Sequence, residues 1–213
     1  MQVLGVHPAS QDVPRQAVRT LLDGGLVAFP TDTYYALGAA ALNAAAVARV
    51  VAAKRRPPTD PLPVFIADMG QWRMVVSEIP EIALRLAARF WPGPLTIVCR
   101  AAPHLPPPLT GSGETIGVRQ PGAVLAAALC RALGMPVTGT SANTHGAAPP
   151  VTAIEVGMDL GGHVDLILDG GACPGAHPST VIDVTRTPPL IVRAGAVAAD
   201  ALREVAGAVA LPA

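Results

Sequence analysis

Hydrophobic positions near the start of the chain first repeat at helical spacing and then form a short continuous run. The helical repeat consists of Ala17, Val18, Leu21 and Leu22. Pro14 suits the first turn of a helix and Gly24-Gly25 suits its end, so residues 14–23 are predicted to form a helix. The apolar run at residues 26–29 is predicted to be a short buried strand.

A second helical stripe follows an asparagine, a favourable residue for the N-cap of a helix. After Asn43, the stripe consists of Val47, Val50 and Val51. The basic run Lys54-Arg55-Arg56 comes at the carboxyl end, where the helix dipole favours positive charge, and two prolines follow it. These features predict a helix at residues 44–53.

Short apolar runs alternate with helical stretches along the rest of the chain. Helices are predicted near residues 80–90, 123–133, 152–160 and 198–206. Strands are predicted at residues 62–66, 95–98, 115–118, 137–140, 164–168, 181–184 and 190–192. This alternation predicts the α/β class, and because no repeat or linker divides the chain, a single domain over residues 1–213 is expected. Residues 102–113 form the longest stretch without periodicity and are predicted to be mobile.

The composition disfavours several classes of protein. With 213 residues and 51% hydrophobic content, the chain is long enough to bury one good-sized core. Fifteen basic and fifteen acidic residues give no net charge to attract nucleic acid. Aromatic residues are only 3% of the chain, so binding by stacking on exposed bases is not expected. The three cysteines form no C-x-x-C pair, which disfavours a zinc site and a disulfide framework. The start of the sequence does not resemble a signal peptide, which disfavours a secreted protein. We therefore expect a globular cytoplasmic protein.

The first predicted strand leads into a polar loop, PTDTYYALG, at residues 30–38. Side chains that follow a buried strand of an α/β sheet commonly meet a ligand, and Thr31, Asp32 and Thr33 cluster at this point. A plain turn, in which Thr31 and Asp32 bond their own backbone, explains the loop equally well.

Two cations, Lys54 and Arg56, precede a proline-rich turn. They can converge on phosphate oxygens, the arginine through a forked pair of hydrogen bonds and the lysine as a point charge. The alternative is that they only stabilise the carboxyl end of the predicted helix.

Polar side chains also lie at the ends of several later strands. Residues 138–143, TGTSAN, supply short donors and acceptors suited to an amino-acid backbone or a ribose, although a Ser/Asn turn has the same composition. Ser179 begins one predicted strand, whereas Arg119 and Arg193 end two others. Arginines at such positions also occur as partners of surface carboxylates.

The motifs of several known catalytic schemes are absent from the sequence. It contains no G-x-x-x-x-G-K-[ST], so a nucleotide would be held without a P-loop, and Gly111-Ser112-Gly113 is too short to replace one. It also contains no G-x-S-x-G or H-E-x-x-H, and its five histidines have no ligand spacing. No metal site built from side chains is predicted.

Seven segments, taken in order, resemble the YrdC family of threonylcarbamoyl-AMP synthases over residues 13–207. They are PTDTYYALG, AKRRPPTDPL, WPGPLT, TIGVR, TSANTHG, PSTVID and IVRAG. The resemblance implies a single twisted mixed sheet with flanking helices around a large concave cleft. It also implies an enzyme that makes threonylcarbamoyl-adenylate and pyrophosphate from L-threonine, bicarbonate and ATP. Partner proteins would then use the product to form threonylcarbamoyladenosine in tRNA.

By position, the resemblance assigns residues to the two larger substrates. Those assigned to L-threonine are Thr33, Arg119, Gly139 and Ser179, with the arginine against the carboxylate. Those assigned to ATP are Lys54, Arg56, Thr115, Ser141, Asn143 and Arg193. Because threonine carbamate itself attacks the α-phosphorus, the protein has to align reactants and neutralise charge rather than supply a nucleophile. Mg²⁺ is expected to arrive with ATP, held mostly by phosphate oxygens and water.

The sequence departs from the family pattern at several of these segments. Ala36 replaces the more usual glycine of the first loop, and Phe65 stands where a histidine is often found. His145-Gly146 replaces the usual Ser-Gly, and Pro149 stands where a hydroxyl sometimes reaches ATP. These changes bear on strictness for threonine more than on the fold. The length resembles the short, single-domain type, without the extra C-terminal domain of longer relatives. Closure of the cleft is therefore expected from another segment, for which residues 102–113 are the candidate.

Two other functions remain compatible with the sequence. The first is a noncatalytic relative that binds a nucleotide or double-stranded RNA in the same cleft, for which a basic rim would be the discriminating feature. The second is an enzyme acting on carbamoyl phosphate, like the related domain of hydrogenase-maturation proteins. Those proteins carry additional domains with metal-type cysteine patterns, and this sequence has none.

Overall fold

A computed structural model describes residues 1–7 and 9–211, so the expected domain at 1–213 is covered except for positions 8, 212 and 213. Strands and helices alternate along the chain, which confirms the α/β class. The strands are β1 (Gln2–Gly5), β2 (Val27–Phe29), β3 (Ala36–Gly38), β4 (Val64–Phe65), β5 (Leu95–Arg100), β6 (Thr115–Arg119), β7 (Val137–Thr138), β8 (Thr140–Ser141), β9 (Leu166–Asp169), β10 (Thr180–Asp183) and β11 (Leu190–Arg193). The helices are α1 (Arg15–Leu22), α2 (Ala44–Ala53), α3 (Met69–Val75), α4 (Glu81–Phe90), α5 (Pro107–Thr110), α6 (Val124–Leu133), α7 (Ala153–Leu160) and α8 (Ala199–Ala206).

The strands form two sheets, so the prediction of a single sheet is wrong. The five-stranded sheet has the order β1-β9-β2-β3-β8, and the six-stranded sheet has the order β11-β10-β5-β6-β4-β7. Both sheets are mixed, as expected, because each contains parallel and antiparallel neighbours. The predicted strand at 137–140 is divided at Gly139: β7 pairs with β4 in one sheet, and β8 pairs with β3 in the other. The change of sheet at this glycine is the physical reason why a one-sheet prediction fails.

The strand register brings several polar positions to one face of the six-stranded sheet. Phe65 lies opposite Arg119 where β4 runs parallel to β6, and opposite Val137 where β4 runs antiparallel to β7. Because side chains alternate along a strand, every second residue faces the same side. Residues of β5, β6 and β10, together with Ser179 just before β10, share this face. They are Thr96, Val98, Thr115, Gly117, Arg119, Ser179, Val181 and Asp183.

The five-stranded sheet is covered by apolar side chains on both faces. Ala28 of β2 belongs to the larger cluster of buried hydrophobic residues, whereas its neighbours Val27 and Phe29 belong to the smaller one. A strand buried on both sides has no polar alternation, which explains the continuous apolar run at residues 26–29.

The helix predictions with strong local signals are confirmed, and the weakest elements were missed. The Asn43 side chain accepts a hydrogen bond from Ala46 N at 3.1 Å, and α2 covers the predicted range 44–53. The missed elements are β1, β3, α3 and α5. The α5 turn lies within residues 102–113, whose mobility stays a prediction, and its Leu109 is buried.

Candidate functional site

One cavity of about 540 Å³ receives side chains from both sheets. All ten residues assigned to substrates by the resemblance line it: Thr33, Lys54, Arg56, Thr115, Arg119, Gly139, Ser141, Asn143, Ser179 and Arg193. Ala36, Phe65, His145, Gly146 and Pro149, where the sequence departs from the family pattern, line it as well. The volume suits a small-molecule ligand. The contact of each residue with a particular substrate stays a prediction.

The loop after β2 forms a hydrogen-bonded turn and also lines the cavity. Thr31 Oγ1 accepts a hydrogen bond from Thr33 N at 3.0 Å and donates one to Tyr34 O at 2.7 Å. The interpretation as a backbone-bonded turn is therefore right for Thr31. It is wrong for Asp32, whose carboxylate instead approaches Arg119. Thr33 Oγ1 lies 3.3 Å from Arg119 Nη1, so the turn also presents a hydroxyl beside a guanidinium.

Arg119 is buried, with a relative exposure of 3%, and we call the part of the cavity around it and Thr33 the inner end. Its Nε donates to Gly93 O at 2.9 Å, and its guanidinium stacks 5.4 Å from the centre of the Phe65 ring. Its Nη2 lies 2.6 Å from Asp32 Oδ1, a close ion pair whose angles fall outside hydrogen-bond geometry. Burial lowers the pKa of Arg119, and the negative charge of Asp32 opposes that shift. The alternative of a surface ion pair is therefore wrong for this arginine.

Lys54 connects the end of α2 to the chain that follows β8. Its Nζ donates to Ser141 O and to Asn143 O, both at 2.6 Å, and the side chain is buried. The alternative interpretation, in which Lys54 serves only its own helix end, is therefore wrong, because the ammonium group is bonded to carbonyls of another segment. Burial, and secondarily the positive charge of Arg56, lowers the pKa of Lys54 to about 8.

Two further guanidinium groups, those of Arg56 and Arg193, belong to a part of the cavity that is more accessible to solvent, which we call the outer end. Arg56 donates to Pro61 O at 3.2 Å and pairs with Asp60 at 3.4 Å. Arg193 is exposed as a residue, and its Nη2 donates to Ser179 O at 2.8 Å and to Ser179 Oγ at 2.9 Å. Burial of the guanidinium lowers the pKa of Arg193, and the nearby charges of Arg119 and Arg56 add to the effect. The mutual effect of these cations makes the cavity a favourable place for an anion.

The remaining predicted residues supply uncharged polar groups. Asn143 Nδ2 donates to Thr144 O and Ala147 O, whereas its buried Oδ1 has no hydrogen-bond partner among the described residues. Gly139 N already donates to Pro63 O at 2.8 Å, so its backbone would contact a ligand through the carbonyl oxygen. Ser179 Oγ also lies 3.0 Å from Thr96 Oγ1. These groups orient a ligand without adding charge.

Burial differs in part between the two predicted sets of substrate residues. The side chains assigned to threonine are buried, with exposures of 3% for Arg119 and 7% for both Thr33 and Ser179. Of the six residues assigned to ATP, Lys54 and Asn143 are equally buried, whereas Arg56, Thr115 and Ser141 are half-buried and Arg193 is exposed. Among the assigned side chains, those accessible to solvent thus all belong to the ATP set.

Asp32 and Asp60 are site residues that the sequence did not single out as partners. Each holds an arginine of the cavity by an ion pair. For Asp60, the i,i+4 spacing from Arg56 was an available local signal. For Asp32, the partner is distant in sequence and no local pattern connects the two.

The described part of the chain has neither a cluster of metal ligands nor a membrane-spanning helix. Residues 1–7 and 9–211 contain no group of three or more His, Cys, Asp or Glu side chains placed to hold a metal ion. Cys99, Cys130 and Cys173 are buried free thiols. Among the same residues, no helix has both the length and the apolar character required to cross a bilayer.

Comparisons with known proteins identify similar sequences and structures. The family model Sua5_yciO_yrdC, described as telomere recombination, matches residues 19–195. The threonylcarbamoyl-AMP synthase of Pyrococcus abyssi is 41% identical over 193 residues, which are 91% of this chain and 57% of that protein. The crystal structure of P. abyssi Sua5 complexed with L-threonine superposes with a TM-score of 0.94 at 37% identity, over 100% of this chain and 63% of the other. The crystal structure of E. coli YciO has a TM-score of 0.84 at 30% identity and is 98% covered. This chain thus spans little more than half of the first relative and nearly all of the last.

Proposed function

This chain belongs to the Sua5_yciO_yrdC family, and we propose that it joins L-threonine, bicarbonate and ATP into threonylcarbamoyl-adenylate, releasing pyrophosphate. The product would be consumed by partner proteins that modify adenosine in tRNA. The observation that carries the proposal is the convergence of ten residues, distant in sequence, on one cavity. The names of the P. abyssi relatives also support it.

The inner end of the cavity suits the amino acid. Arg119 faces this end with Thr33 beside it, so a carboxylate can accept from the guanidinium while the hydroxyl fixes its orientation. Ser179 and the carbonyl of Gly139 supply acceptors for the amine or the carbamate derived from it.

The outer end suits a nucleotide triphosphate. Arg56 and Arg193 line it with Lys54, whose remaining N–H is not used by the two carbonyls that hold it. Cations that are held in place before the ligand arrives stabilise developing charge without reorganisation. The hydroxyls of Thr115 and Ser141 would donate to phosphate oxygens, and the free Oδ1 of Asn143 would accept from a sugar hydroxyl.

The proposed chemistry requires alignment more than covalent catalysis. The threonine amine forms an N–C bond with bicarbonate, a C–O bond of bicarbonate breaks, and water leaves to give the carbamate. A carbamate oxygen then attacks the α-phosphorus, the bond between that phosphorus and the oxygen bridging to the β-phosphorus breaks, and pyrophosphate leaves with the electron pair. The partners of Ser179 Oγ are Thr96 and Arg193, and neither is a base that would turn the serine into a nucleophile. The cavity's cations would neutralise charge on the transferring phosphoryl group.

The cavity lining offers little to a magnesium ion. Asp183 is the carboxylate residue among the described lining positions, and it already accepts from Thr185 and pairs with Arg186. A resident Mg²⁺ site does not fit this arrangement. We propose that Mg²⁺ accompanies the triphosphate as part of the substrate, held by phosphate oxygens and water.

The proposal predicts threonine-dependent release of pyrophosphate from ATP in the presence of bicarbonate. The assay omits threonine, bicarbonate or protein in turn, and serine replaces threonine in a further arm because Ala36 and Phe65 differ from the family pattern. Release without threonine, or no release at all, would contradict the proposal. In the latter case, retained binding of nucleotide or double-stranded RNA would favour the noncatalytic alternative.

A second prediction concerns the pH dependence of ATP binding. Lys54 has a pKa lowered to about 8, so its positive charge is lost as the pH rises through that value. We expect the affinity for a nonhydrolysable ATP analogue to fall by about tenfold between pH 7.5 and 9.5. This factor corresponds to the free energy of one hydrogen bond to a charged group. Calorimetric titration of the wild-type protein and of Lys54→Met measures the effect, which should be absent from the variant.

A direct titration provides the control for this prediction. Lys54 is the only lysine in the sequence, so the NMR signal of its Cε needs no assignment among several lysines. A midpoint near the ordinary lysine pKa, or analogue affinity that stays constant up to pH 9.5, would contradict the expected charge loss.

A further inference from the structure

The cations of the cavity differ in whether a carboxylate neutralises them. Arg119, at the inner end, lies 2.6 Å from Asp32 Oδ1, and both side chains are largely buried, with exposures of 4% and 20%. Arg193, at the outer end, is bonded to the carbonyl and hydroxyl of Ser179, which carry no charge. Lys54 is likewise held by two carbonyls. Two other charged lining residues, Arg56 and Asp183, are paired with Asp60 and Arg186. The inner end is therefore close to neutral, whereas the outer end keeps the positive charges of Arg193 and Lys54.

Asp32 acts on the cavity through Arg119 rather than by touching a ligand. Asp32 is not among the residues that line the cavity, and both of its carboxylate oxygens are buried. Its Oδ2 lies on the side of Gly122, where an added Cβ would come within 3.1 Å of it. The Thr31 turn fixes the backbone on either side of Asp32. The carboxylate is thus built into the wall behind the guanidinium.

We propose that Asp32 determines which kind of substrate the inner end accepts, by neutralising Arg119 so that the site favours a zwitterion over a phosphate. An amino acid brings one negative and one positive charge, which a neutral ion pair tolerates well. A phosphate group brings excess negative charge, and the buried carboxylate repels it at short range in a medium of low dielectric. Without Asp32, the triphosphate could bind at Arg119 and block the amino acid.

The arginine–carboxylate pair at the outer end is weaker than the pair at the inner end. There, Arg56 is paired with Asp60 at a longer distance of 3.4 Å and in a more exposed setting, where solvent screens the interaction. Arg193 and Lys54 remain available to phosphate oxygens. The two ends thus sort the two substrates by charge, and this inference rests on the proposed function only for the identity of those substrates.

The test uses inorganic phosphate as the probe and Asp32→Asn as the variant, because the amide keeps the size of the side chain and removes its charge. We expect phosphate to bind Asp32→Asn at least about tenfold more tightly than wild-type protein, by Coulomb's law at an intermediate effective dielectric. Phosphate should also compete with threonine in the variant. Binding is measured by phosphorus NMR and calorimetry without turnover, so the outcome does not depend on catalysis.

Two matched variants locate the effect. Asp165→Asn removes the carboxylate of another aspartate–arginine pair, at 2.9 Å from Arg49 and outside this cavity, and should leave phosphate binding unchanged. Asp60→Asn removes the partner of Arg56 and should tighten phosphate binding without competition against threonine. A gain in affinity cannot arise from partial unfolding, so it separates this role from a structural one. Unchanged or weaker phosphate binding by folded Asp32→Asn would overturn the inference, whereas a wild-type protein that ignores threonine would overturn the proposed function instead.

Discussion

Replacing Arg119 with lysine is expected to lower kcat/KM for threonine by about 100-fold, while the affinity for ATP changes little. Lysine keeps the positive charge beside Asp32, but it cannot reach Gly93 O, Thr33 Oγ1 and a substrate carboxylate at once. Losing a buried, hydrogen-bonded charge contact costs about 3 kcal/mol, which corresponds to about two powers of ten in rate or affinity. Steady-state kinetics with threonine and ATP varied separately measures the change.

The matched control for this variant is Arg49→Lys. Arg49 also pairs with an aspartate, Asp165 at 2.9 Å, and donates to a backbone carbonyl, that of Gly24, but it lies outside the cavity. Its replacement should leave both Michaelis constants unchanged. If Arg119→Lys retained kcat/KM for threonine within a factor of about three, which is under 1 kcal/mol, the assignment of Arg119 to the carboxylate would be wrong.

A methyl group added at Gly139 is expected to reduce both stability and activity. The new Cβ would lie 2.6 Å from Cδ1 and 2.7 Å from Cε1 of Phe65, well inside contact distance. Phe65 has little freedom to move, because β4 is paired on both sides and the ring packs against Phe29 and the Arg119 guanidinium. Overpacking of this kind costs about 1–3 kcal/mol. Displacement of Phe65 also disturbs Arg119, so we expect threonine-dependent activity to fall more than about tenfold.

Thermal unfolding and pyrophosphate release measure the two effects of Gly139→Ala. At about 2–4 °C per kcal/mol for a chain of this size, the melting temperature should fall by roughly 2–12 °C. Gly162→Ala serves as the control, because a Cβ at residue 162 meets nothing within 4 Å. If the clash with Phe65 is the cause, Phe65→Leu should recover part of the stability in the Gly139→Ala background, whereas simple addition of the two losses would refute it.

The contrast between α2 and β7–β8 shows how far local patterns predict this fold. The boundaries of α2 follow from the Asn43 cap and from the apolar stripe, which involve residues three or four positions apart. The apolar run at 137–140 was predicted as one strand, but its partners are Val64 and Phe65 on one side and Ala36 and Leu37 on the other. Partners so distant in sequence leave no periodic signal in the strand itself.

The missed strands have the same explanation. β1 has four residues, and its register with β9 joins Gln2 to Leu166 across most of the chain. β3 has three residues and is buried, so it shows no alternation of polar and apolar positions. α3 is a seven-residue helix capped by Asp68, too short to display a full apolar stripe.

The sequence by itself determined the α/β class, most of the helices and, through seven ordered motifs, the residues that meet in the cavity. Those properties depend on caps, side-chain periodicity and residue identity, each of which can be observed within a short segment. Only the tertiary structure decided that there are two sheets, that Lys54 holds the chain beyond β8, and that Asp32 neutralises Arg119 from 87 residues away. Burial makes that ion pair and that lysine important, and burial arises from packing between segments that no local pattern connects.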